Sequence, residues 1–305
     1  MKYIYGPVPS RRLGLSLGVS PIPKKTCNYS CIYCQLGRTD HMTKQREMFF
    51  PVKDIIAELD RVLKDDIRFD VVTIVGEGEP TLYLGLGELI TDIQTRIEMP
   101  VAVITNGALL YDTQVRSELF DADIVLPTFD AFDQASFKKI NRPHRSLDYE
   151  MVKQGLINFS REYQGQLWLE LMLMSEINDD LESLQKYAAA LNEIKYDRLY
   201  LNTPVRPPAE AYVRAVSHEI MNQAVEMLGG ISIELLLSLG FHSDIQDDYE
   251  AVLSIIKRHP MNQYEIRDFL IARGNRQYDL LLDRLRTDPA VFAIHYKGYE
   301  TYRLK

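Results

Sequence analysis

Short runs of β-branched and aliphatic residues alternate with longer amphipathic stretches between residues 50 and 230, and this alternation restricts the fold more than any other feature of the sequence. Repeated βα units of this kind form a parallel sheet with helical crossovers. Strands are predicted at 15–22, 71–75, 101–105, 123–127, 167–173 and 198–201, and helices at 53–65, 83–98, 147–163, 178–193 and 208–228. The expected fold class is α/β, a partial (β/α)6 barrel of the TIM type.

The pattern changes near residue 243. Three closely spaced helical stretches follow at 247–258, 263–272 and 275–287, and residues 292–304 read as a hairpin that turns at Lys297-Gly298. Three helices and a hairpin predict a winged-helix module with its recognition helix at 275–287. The predicted organisation is therefore a barrel domain over residues 1–235, a linker over 236–246 and a winged-helix-like domain over 247–305.

All three cysteines of the chain, Cys27, Cys31 and Cys34, lie in the loop after the first predicted strand. An odd number in one short loop argues against a disulfide framework and indicates ligands or nucleophiles. Three thiolates at this spacing can hold three corners of a [4Fe–4S] cluster and leave one iron open, whereas clusters used for electron transfer normally have four cysteines. A zinc site completed by His41 or Asp40 is an alternative, and so is a catalytic thiol with two bystanders.

The loop has the form Cys-x-x-x-Cys-x-Tyr-Cys, which resembles the cluster loop of the radical S-adenosylmethionine (SAM) superfamily. The resemblance implies an enzyme in which the open iron binds the amino and carboxylate groups of SAM. It further implies that one electron cleaves SAM to a 5′-deoxyadenosyl radical, which abstracts hydrogen from a substrate.

Cytoplasmic location is expected, because the start of the chain lacks a signal peptide and no apolar run is long enough to span a membrane.

The resemblance also implies which residues contact SAM. Gly78 and Glu79 follow the second predicted strand and correspond to the Gly-Glu element that holds the methionine amino group, where a carboxylate faces an ammonium. By position, Tyr33 is expected beside adenine, Asn106 at the ribose or carboxylate, and Asp130 at the ribose or the substrate. The loops that follow strand C-terminal ends build the active site of such barrels, so these residues are expected to converge.

Four segments resemble more narrowly the superfamily branch related to tRNA wyosine-base synthases: residues 6–19, 76–82, 141–144 and 201–208. That resemblance implies an enzyme that acts on a tRNA guanine with pyruvate, a second cluster and a lysine that forms a Schiff base. The chain has only three cysteines, so a second cysteine-bound cluster is impossible. A tRNA base-modifying radical enzyme is therefore an alternative, and the leading hypothesis leaves the substrate open.

The charge distribution bears on partners. The chain carries a net charge of −8, yet its first 46 residues hold eight Lys or Arg against Asp40 alone. A basic segment around the cysteines suits an anionic substrate group or an acidic electron donor of the flavodoxin or ferredoxin type. The residues expected to contact the substrate are Arg12, Arg142, His144 and Arg206.

The predicted winged helix suggests a further alternative, a cluster- or SAM-dependent regulator that binds DNA. Its recognition helix and wing carry polar and basic residues, namely Asn275, Arg276, Arg284, Arg286, Lys297, Arg303 and Lys305. Three acidic residues, Asp279, Asp283 and Asp288, offset them. Because this surface is near neutral, a protein-contact or scaffold role is favoured over nucleic-acid binding.

Overall fold

The computed structural model describes residues 2–65, 67–233, 241, 243, 245–296 and 299–305. Its largest element is an eight-stranded sheet in the order β1-β2-β5-β6-β7-β8-β9-β10. The first pair is antiparallel and every other neighbouring pair is parallel. The strands are β1 (Ile4–Ser10), β2 (Gly14–Val19), β5 (Val71–Ile74), β6 (Val101–Thr105), β7 (Ile124–Pro127), β8 (Gln166–Met172), β9 (Arg198–Asn202) and β10 (Ile231–Ser232); β3 (Thr26–Cys27) and β4 (His41–Met42) pair separately.

Seven helices of the described chain accompany this sheet: α1 (Val52–Val62), α2 (Leu86–Gln94), α3 (Thr113–Leu119), α4 (Gln134–Ile140), α5 (Tyr149–Glu162), α6 (Leu181–Leu191) and α7 (His218–Leu228). Several begin at a side-chain cap that satisfies a free backbone N–H. Asp148 accepts from Met151 N, and Asp180 accepts from Ser183 N. These caps fix where the crossovers start, and therefore how long the preceding loops are.

The prediction of an α/β fold with a mostly parallel sheet is confirmed, and the arrangement is consistent with a partial TIM-type barrel. The six predicted strands correspond to β2 and β5 to β9. The prediction missed β1 and β10 at the sheet edges, as well as the short α3 and α4. It was wrong over 208–217, where the chain is not helical: Glu210 N donates to Ile32 O, so this segment lies against the cysteine loop instead.

The two faces of the sheet bury different residues. One face packs against the helices and includes Leu17, Val72 and Val103. The other face buries a smaller cluster that includes Val71, Trp168 and Tyr200. Neighbouring residues along a strand therefore point to opposite sides, as expected for a sheet covered by helices on its outer face. No described helix combines the length and the apolar composition needed to cross a membrane.

The described residues from 245 to 305, which we call the C-terminal module, have a core of their own. Their elements are α8 (Asp248–Ile256), β11 (Met261–Asn262), α9 (Gln263–Ala272), α10 (Tyr278–Thr287), β12 (Val291–Tyr296) and β13 (Tyr299–Leu304). The three strands form an antiparallel sheet in the order β11-β13-β12. Most of the predicted linker and the predicted turn at residues 297 and 298 lie outside the described residues.

Gly155 lets α5 approach the loop that follows β6. A β-carbon on Gly155 would lie 2.6 Å from the carbonyl carbon of Leu110 and 2.8 Å from Tyr111 Cα, both backbone atoms that cannot rotate away. We expect Gly155→Ala to lower the free energy of unfolding by about 1–3 kcal/mol, the usual cost of overpacking. Urea unfolding followed by circular dichroism measures it. Gly87→Ala is the matched helical control, because its β-carbon would meet the flexible Glu118 side chain and gain up to about 1 kcal/mol in helix propensity. Equal effects of the two substitutions would contradict the packing account.

Candidate active site

The cysteine loop follows β2 and is held by backbone hydrogen bonds to residues 140–144. Ser30 N donates to Asn141 O at 3.0 Å, Ile32 N donates to Ile140 O at 3.0 Å, and His144 N donates to Asn28 O at 2.8 Å. The loop also buries Tyr29 and Ile32 in two small apolar clusters on either side of it. The three cysteines remain only partly buried. Packing and backbone pairing therefore fix the position of the loop.

The turn after β5 lies directly against the start of this loop. Glu79 N donates to Thr26 O at 3.0 Å, one residue before Cys27, and Lys25 N donates to Glu77 O. Gly78 is required at the contact, because a β-carbon there would overlap the Thr26 carbonyl oxygen and lie 2.9 Å from its carbonyl carbon. The Gly78-Glu79 pair predicted from the sequence is thus joined to the first cysteine through the backbone.

The Glu79 carboxylate is buried and heavily hydrogen-bonded. Its Oε1 accepts from Thr81 N, from Thr81 Oγ1 and from Thr105 Oγ1, whereas its Oε2 accepts from Asn106 N at 2.8 Å. Burial raises the pKa of Glu79, although these four donors favour the ionised form. A carboxylate has about four acceptor sites shared between its two oxygens. Oε2, with one donor here, retains capacity for another.

Amide N–H groups lie within reach of two of the cysteine sulfurs. Asn106 Nδ2 lies 3.6 Å from Cys27 Sγ, and Asn141 Nδ2 lies 3.6 Å from Cys31 Sγ. Asn28 is fully buried. Its Oδ1 accepts from Asn106 at 2.6 Å, and its own Nδ2 has no hydrogen-bond partner among the described residues. Hydrogen bonds to sulfur tune iron–sulfur clusters, so these donors suit a thiolate-bound cluster.

Tyr33 and Asp130 form one hydrogen-bonded unit. The Tyr33 hydroxyl donates to Asp130 Oδ2, Asn141 Nδ2 donates to the same oxygen at 3.1 Å, and Met172 N donates to Oδ1 at 2.9 Å. Burial raises the pKa of Asp130 to about 6 and that of Tyr33 well above its ordinary value. The structure therefore brings the predicted cofactor residues into two hydrogen-bonded groups. Glu79 and Asn106 lie beside Cys27. Tyr33 and Asp130 lie beside Cys31, through Asn141.

Burial at this site disfavours free thiolates. Burial, with a smaller effect from Glu79, raises the pKa of Cys27 to about 12, and burial raises the pKa of Cys31 well above its ordinary value. Metal coordination removes the proton from such a thiol outright. In the described part of the chain, no three Cys, His, Asp or Glu side chains converge as they would around a single metal ion. Asp40 points outward beside Lys25, and His41 is exposed, so neither joins the thiols in a zinc site.

The four predicted substrate residues do not converge. Arg12 pairs with Glu170, whose other oxygen accepts from Asn202 at 3.1 Å. Arg206 pairs with Glu265 of the C-terminal module at 3.2 Å. His144 Nδ1 lies 2.8 Å from Ser146 Oγ. These contacts tie each side chain to a different neighbour.

Arg142 differs from the other three because it shares its partner. Glu210 pairs with Arg142 and also with Arg38 at 2.9 Å. These two pairs lower the pKa of Glu210. Two guanidinium groups therefore face one carboxylate beside the cysteine loop, which leaves an excess of positive charge there.

Sequence reasoning missed Asn28, Asn141 and Glu210 as parts of this site. Asn28 lies inside the cysteine motif and Asn141 opens the Asn-Arg-Pro-His segment, so a polar residue in either segment was a usable signal. Glu210 gave no such signal, because only the fold brings it next to Ile32.

The Radical SAM superfamily pattern matches residues 22–188, which is more than half of the chain. The chain belongs to the radical SAM superfamily. It is therefore an enzyme, and the cofactors of the superfamily are a [4Fe–4S] cluster and SAM. The resemblance inferred from the cysteine motif is confirmed.

Relatives extend this similarity beyond the barrel. A UPF0026 protein of Methanocaldococcus jannaschii is 33% identical over 99% of this chain and 96% of its own length. A UPF0026 protein of Helicobacter pylori is 32% identical over 92% of both chains. A protein of Brachyspira hyodysenteriae named GTPase Obg is 42% identical over 73% of this chain, which spans only 33% of that protein. The chain thus belongs to the UPF0026 group of the superfamily.

Solved structures share the fold at lower identity. TYW1 with a lysine–pyruvate adduct bound superposes with a TM-score of 0.53 at 22% identity, over 70% of this chain and 72% of that one. A radical SAM methyltransferase from Sphaerobacter thermophilus gives a TM-score of 0.55 at 15% identity, over 72% of this chain and 68% of that one. These likenesses support the partial barrel.

The C-terminal module reaches the turn after β5, which carries Glu77 and Glu79, through a buried ion pair. Glu77 and Arg258 are both buried, and Arg258 Nε lies 3.7 Å from Glu77 Oε2. Lys257 lies at 4.0 Å from the same oxygen. Arg258 also donates to Lys2 O at 3.0 Å. The turn that carries Glu79 is therefore held by a hydrogen bond to the Thr26 backbone and by an ion pair with Arg258 of the module.

Removing one partner of the Glu77–Arg258 pair leaves the other charge buried. We expect Glu77→Gln and Arg258→Met each to lower the free energy of unfolding by about 3 kcal/mol. The double variant is expected to lose much less than the sum of the two, with a coupling of about 1–3 kcal/mol. Urea titrations of the four proteins give these values. Additive losses would show that the two side chains do not interact.

Proposed function

We propose that this enzyme reductively cleaves SAM at a [4Fe–4S] cluster held by Cys27, Cys31 and Cys34, and directs the radical to a substrate with an anionic group. The observation that carries the proposal is the backbone contact between the Gly78-Glu79 turn and Thr26. That contact sets a buried carboxylate beside a loop of three thiols in a chain with no further cysteine. A ligand set with one missing member leaves room for a cofactor on the metal.

When bound, the reduced cluster supplies the electron that breaks the sulfur–C5′ bond of SAM. The three cysteines would hold it as thiolates, with the Asn106 and Asn141 amides as hydrogen-bond donors near their sulfurs. The buried Asn28 Nδ2, which has no partner in the described part of the chain, is available for the same purpose. These three amides would thus donate hydrogen bonds to the thiolates that hold the cluster.

Glu79 Oε2 is the proposed acceptor for an N–H of the methionine amino group. Its burial makes a hydrogen bond from this group stronger than it would be in water. Thr81, Thr105 and Asn106 fix the orientation of the carboxylate, so little reorganisation is needed on binding. Tyr33, Asp130 and Asn106 remain the proposed contacts to the adenosyl part, and the Tyr33–Asp130 hydrogen bond supports that role.

The anionic group of the substrate is proposed to bind near Arg142. Arg38 and Arg142 share one carboxylate, whereas Arg12 and Arg206 each have a carboxylate partner of their own. An anion at this position would complete the charge balance that Glu210 leaves incomplete. This argument favours Arg142 and Arg38 over Arg12 and Arg206 as substrate contacts.

The electron donor is proposed to be an acidic protein of the flavodoxin or ferredoxin type. Lysines of the basic segment and of the C-terminal module meet near the cysteine loop, where Lys24 donates to the carbonyl of Lys305. Lys257 and Lys305 lie at the same side of the module and retain solvent exposure. Charge complementarity of this kind speeds the encounter with an acidic partner.

The C-terminal module is inferred to be a winged helix, from three helices followed by a hairpin whose second strand pairs with β11. Its basic residues are largely used within the protein. Arg284 stacks on Tyr249 at 3.5 Å, Arg286 pairs with Glu300, and Arg303 donates to Gln35 O. These contacts favour a scaffold role over DNA regulation.

A tRNA base-modifying reaction is the second candidate, because the TYW1 structure shares the fold. Two observations weigh against it. Three cysteines leave none for a second cysteine-bound cluster. Binding of tRNA needs cations that are free to neutralise phosphates, whereas Arg284, Arg286 and Arg303 make contacts within the protein.

The proposed activity predicts a specific product. After anaerobic reconstitution with iron and sulfide, the protein is expected to turn brown and to form 5′-deoxyadenosine from SAM when dithionite is added. Cys31→Ser is expected to lose the cluster and the product together, because two cysteines cannot hold a cubane. Chromatography of the quenched reaction measures the product. An intact cluster in the parent protein that yields no 5′-deoxyadenosine would refute the proposed function.

A further inference from the structure

The last strand of the chain contacts the cysteine loop. Arg303, in β13, donates from Nη1 to the carbonyl of Gln35 at 2.7 Å, and Gln35 directly follows Cys34. Lys24 donates to the carbonyl of Lys305, so the end of β13 also lies beside the residues that lead into the loop. The module thereby contacts this loop on both sides of the cysteines.

Two cations lie beside the backbone that follows Cys34. A β-carbon placed on Gly37 would be 3.8 Å from Arg303 Nη2 and 3.8 Å from Lys25 Nζ. Lys25 pairs with Asp40 at 3.6 Å, and 72% of the Asp40 side chain is exposed. Arg303 has no carboxylate within 4.0 Å among the residues that the structure describes. Within the part of the chain that the structure describes, its positive charge is therefore not offset by a carboxylate.

The Arg303 contact is accompanied by other junctions between the module and the barrel. Arg258 reaches Glu77 in the turn that carries Glu79. Glu265 pairs with Arg206 after β9, and His259 Nε2 lies 2.7 Å from Arg206 Nη2. These buried or partly buried junctions attach the module to the barrel, and the module carries Arg303.

We propose that the C-terminal module serves the metal centre, with Arg303 as a positioning residue that fixes the backbone after Cys34 and stabilises the reduced cluster by its charge. This inference rests on the proposed cluster ligands. Reduction adds one negative charge to the cluster, and a nearby fixed cation favours that state, since net charge and hydrogen bonding set cluster potentials. Glu79 and Arg303 then have different roles. Glu79 binds the cofactor, and Arg303 favours reduction of the cluster.

The test uses the full chain reconstituted anaerobically, with three variants. Arg303→Gln removes the charge but keeps an N–H for Gln35, Arg303→Lys keeps the charge, and Arg267→Gln removes an arginine that pairs with Asp268 on the module's surface. The midpoint potential of the cluster is measured by a reductive titration followed by electron paramagnetic resonance. Iron content and thermal unfolding are recorded for each protein.

We expect Arg303→Gln to shift the potential to more negative values and to slow 5′-deoxyadenosine formation about tenfold under a limiting reductant. Arg303→Lys is expected to retain most of the parent potential, and Arg267→Gln all of it. Equal potentials in the parent and in Arg303→Gln, or equal shifts in Arg303→Gln and Arg303→Lys, would overturn the proposal. If Arg303→Gln holds no cluster, the Arg303→Lys protein decides. An Arg303→Lys protein with a cluster at the parent potential supports the proposal, and an Arg303→Lys protein without a cluster overturns it.

The parent protein separates this inference from the proposed function. A parent that forms neither cluster nor 5′-deoxyadenosine removes the proposed function, and the inference with it. A parent that forms both, combined with unshifted variants, removes the role of Arg303 alone.

Discussion

The site depends on the contact between the Thr26 carbonyl and the Gly78-Glu79 backbone. This one junction joins the loop after β2 to the turn after β5, two neighbouring parallel strands. It needs a glycine, because no side chain fits against the carbonyl. Once the junction forms, Glu79 reaches Asn106 after β6, and Asn106 reaches Cys27. Three successive strand ends are therefore linked by hydrogen bonds around one thiol.

A second set of contacts comes from outside the barrel. The C-terminal module brings Arg258 to the turn after β5, Glu265 to the segment after β9 and Arg303 to the cysteine loop. Each of these charged groups contacts a segment of the barrel. The basic residues that would suit nucleic-acid binding are largely engaged in such contacts or within the module, which gives the module a structural reason to be part of the same chain.

The periodicity of the sequence was sufficient for the parallel strands, and the cysteine motif was sufficient for the superfamily. The edge strand β10 was not predicted, because a strand of two residues has no recognisable pattern. Residues 208–217 were wrongly predicted to be helical, because the same spacing of apolar residues also fits a segment packed on another loop. The arginine partners could not be predicted, since Glu170, Glu210 and Glu265 are distant in sequence and ordinary in composition. Motif residues are local; charge pairing is a property of the fold.

The central claim is that a cluster on three cysteines leaves one iron for SAM, with Glu79 accepting a hydrogen bond from the SAM amino group. Electron–nuclear double resonance on the reduced protein tests it directly, with SAM labelled with ¹⁵N at the amino group and with ¹⁷O at the carboxylate. The account predicts hyperfine coupling from both labels in the parent, and weakened SAM binding in Glu79→Gln. A reduced cluster with saturating SAM and no coupling from either label would contradict it.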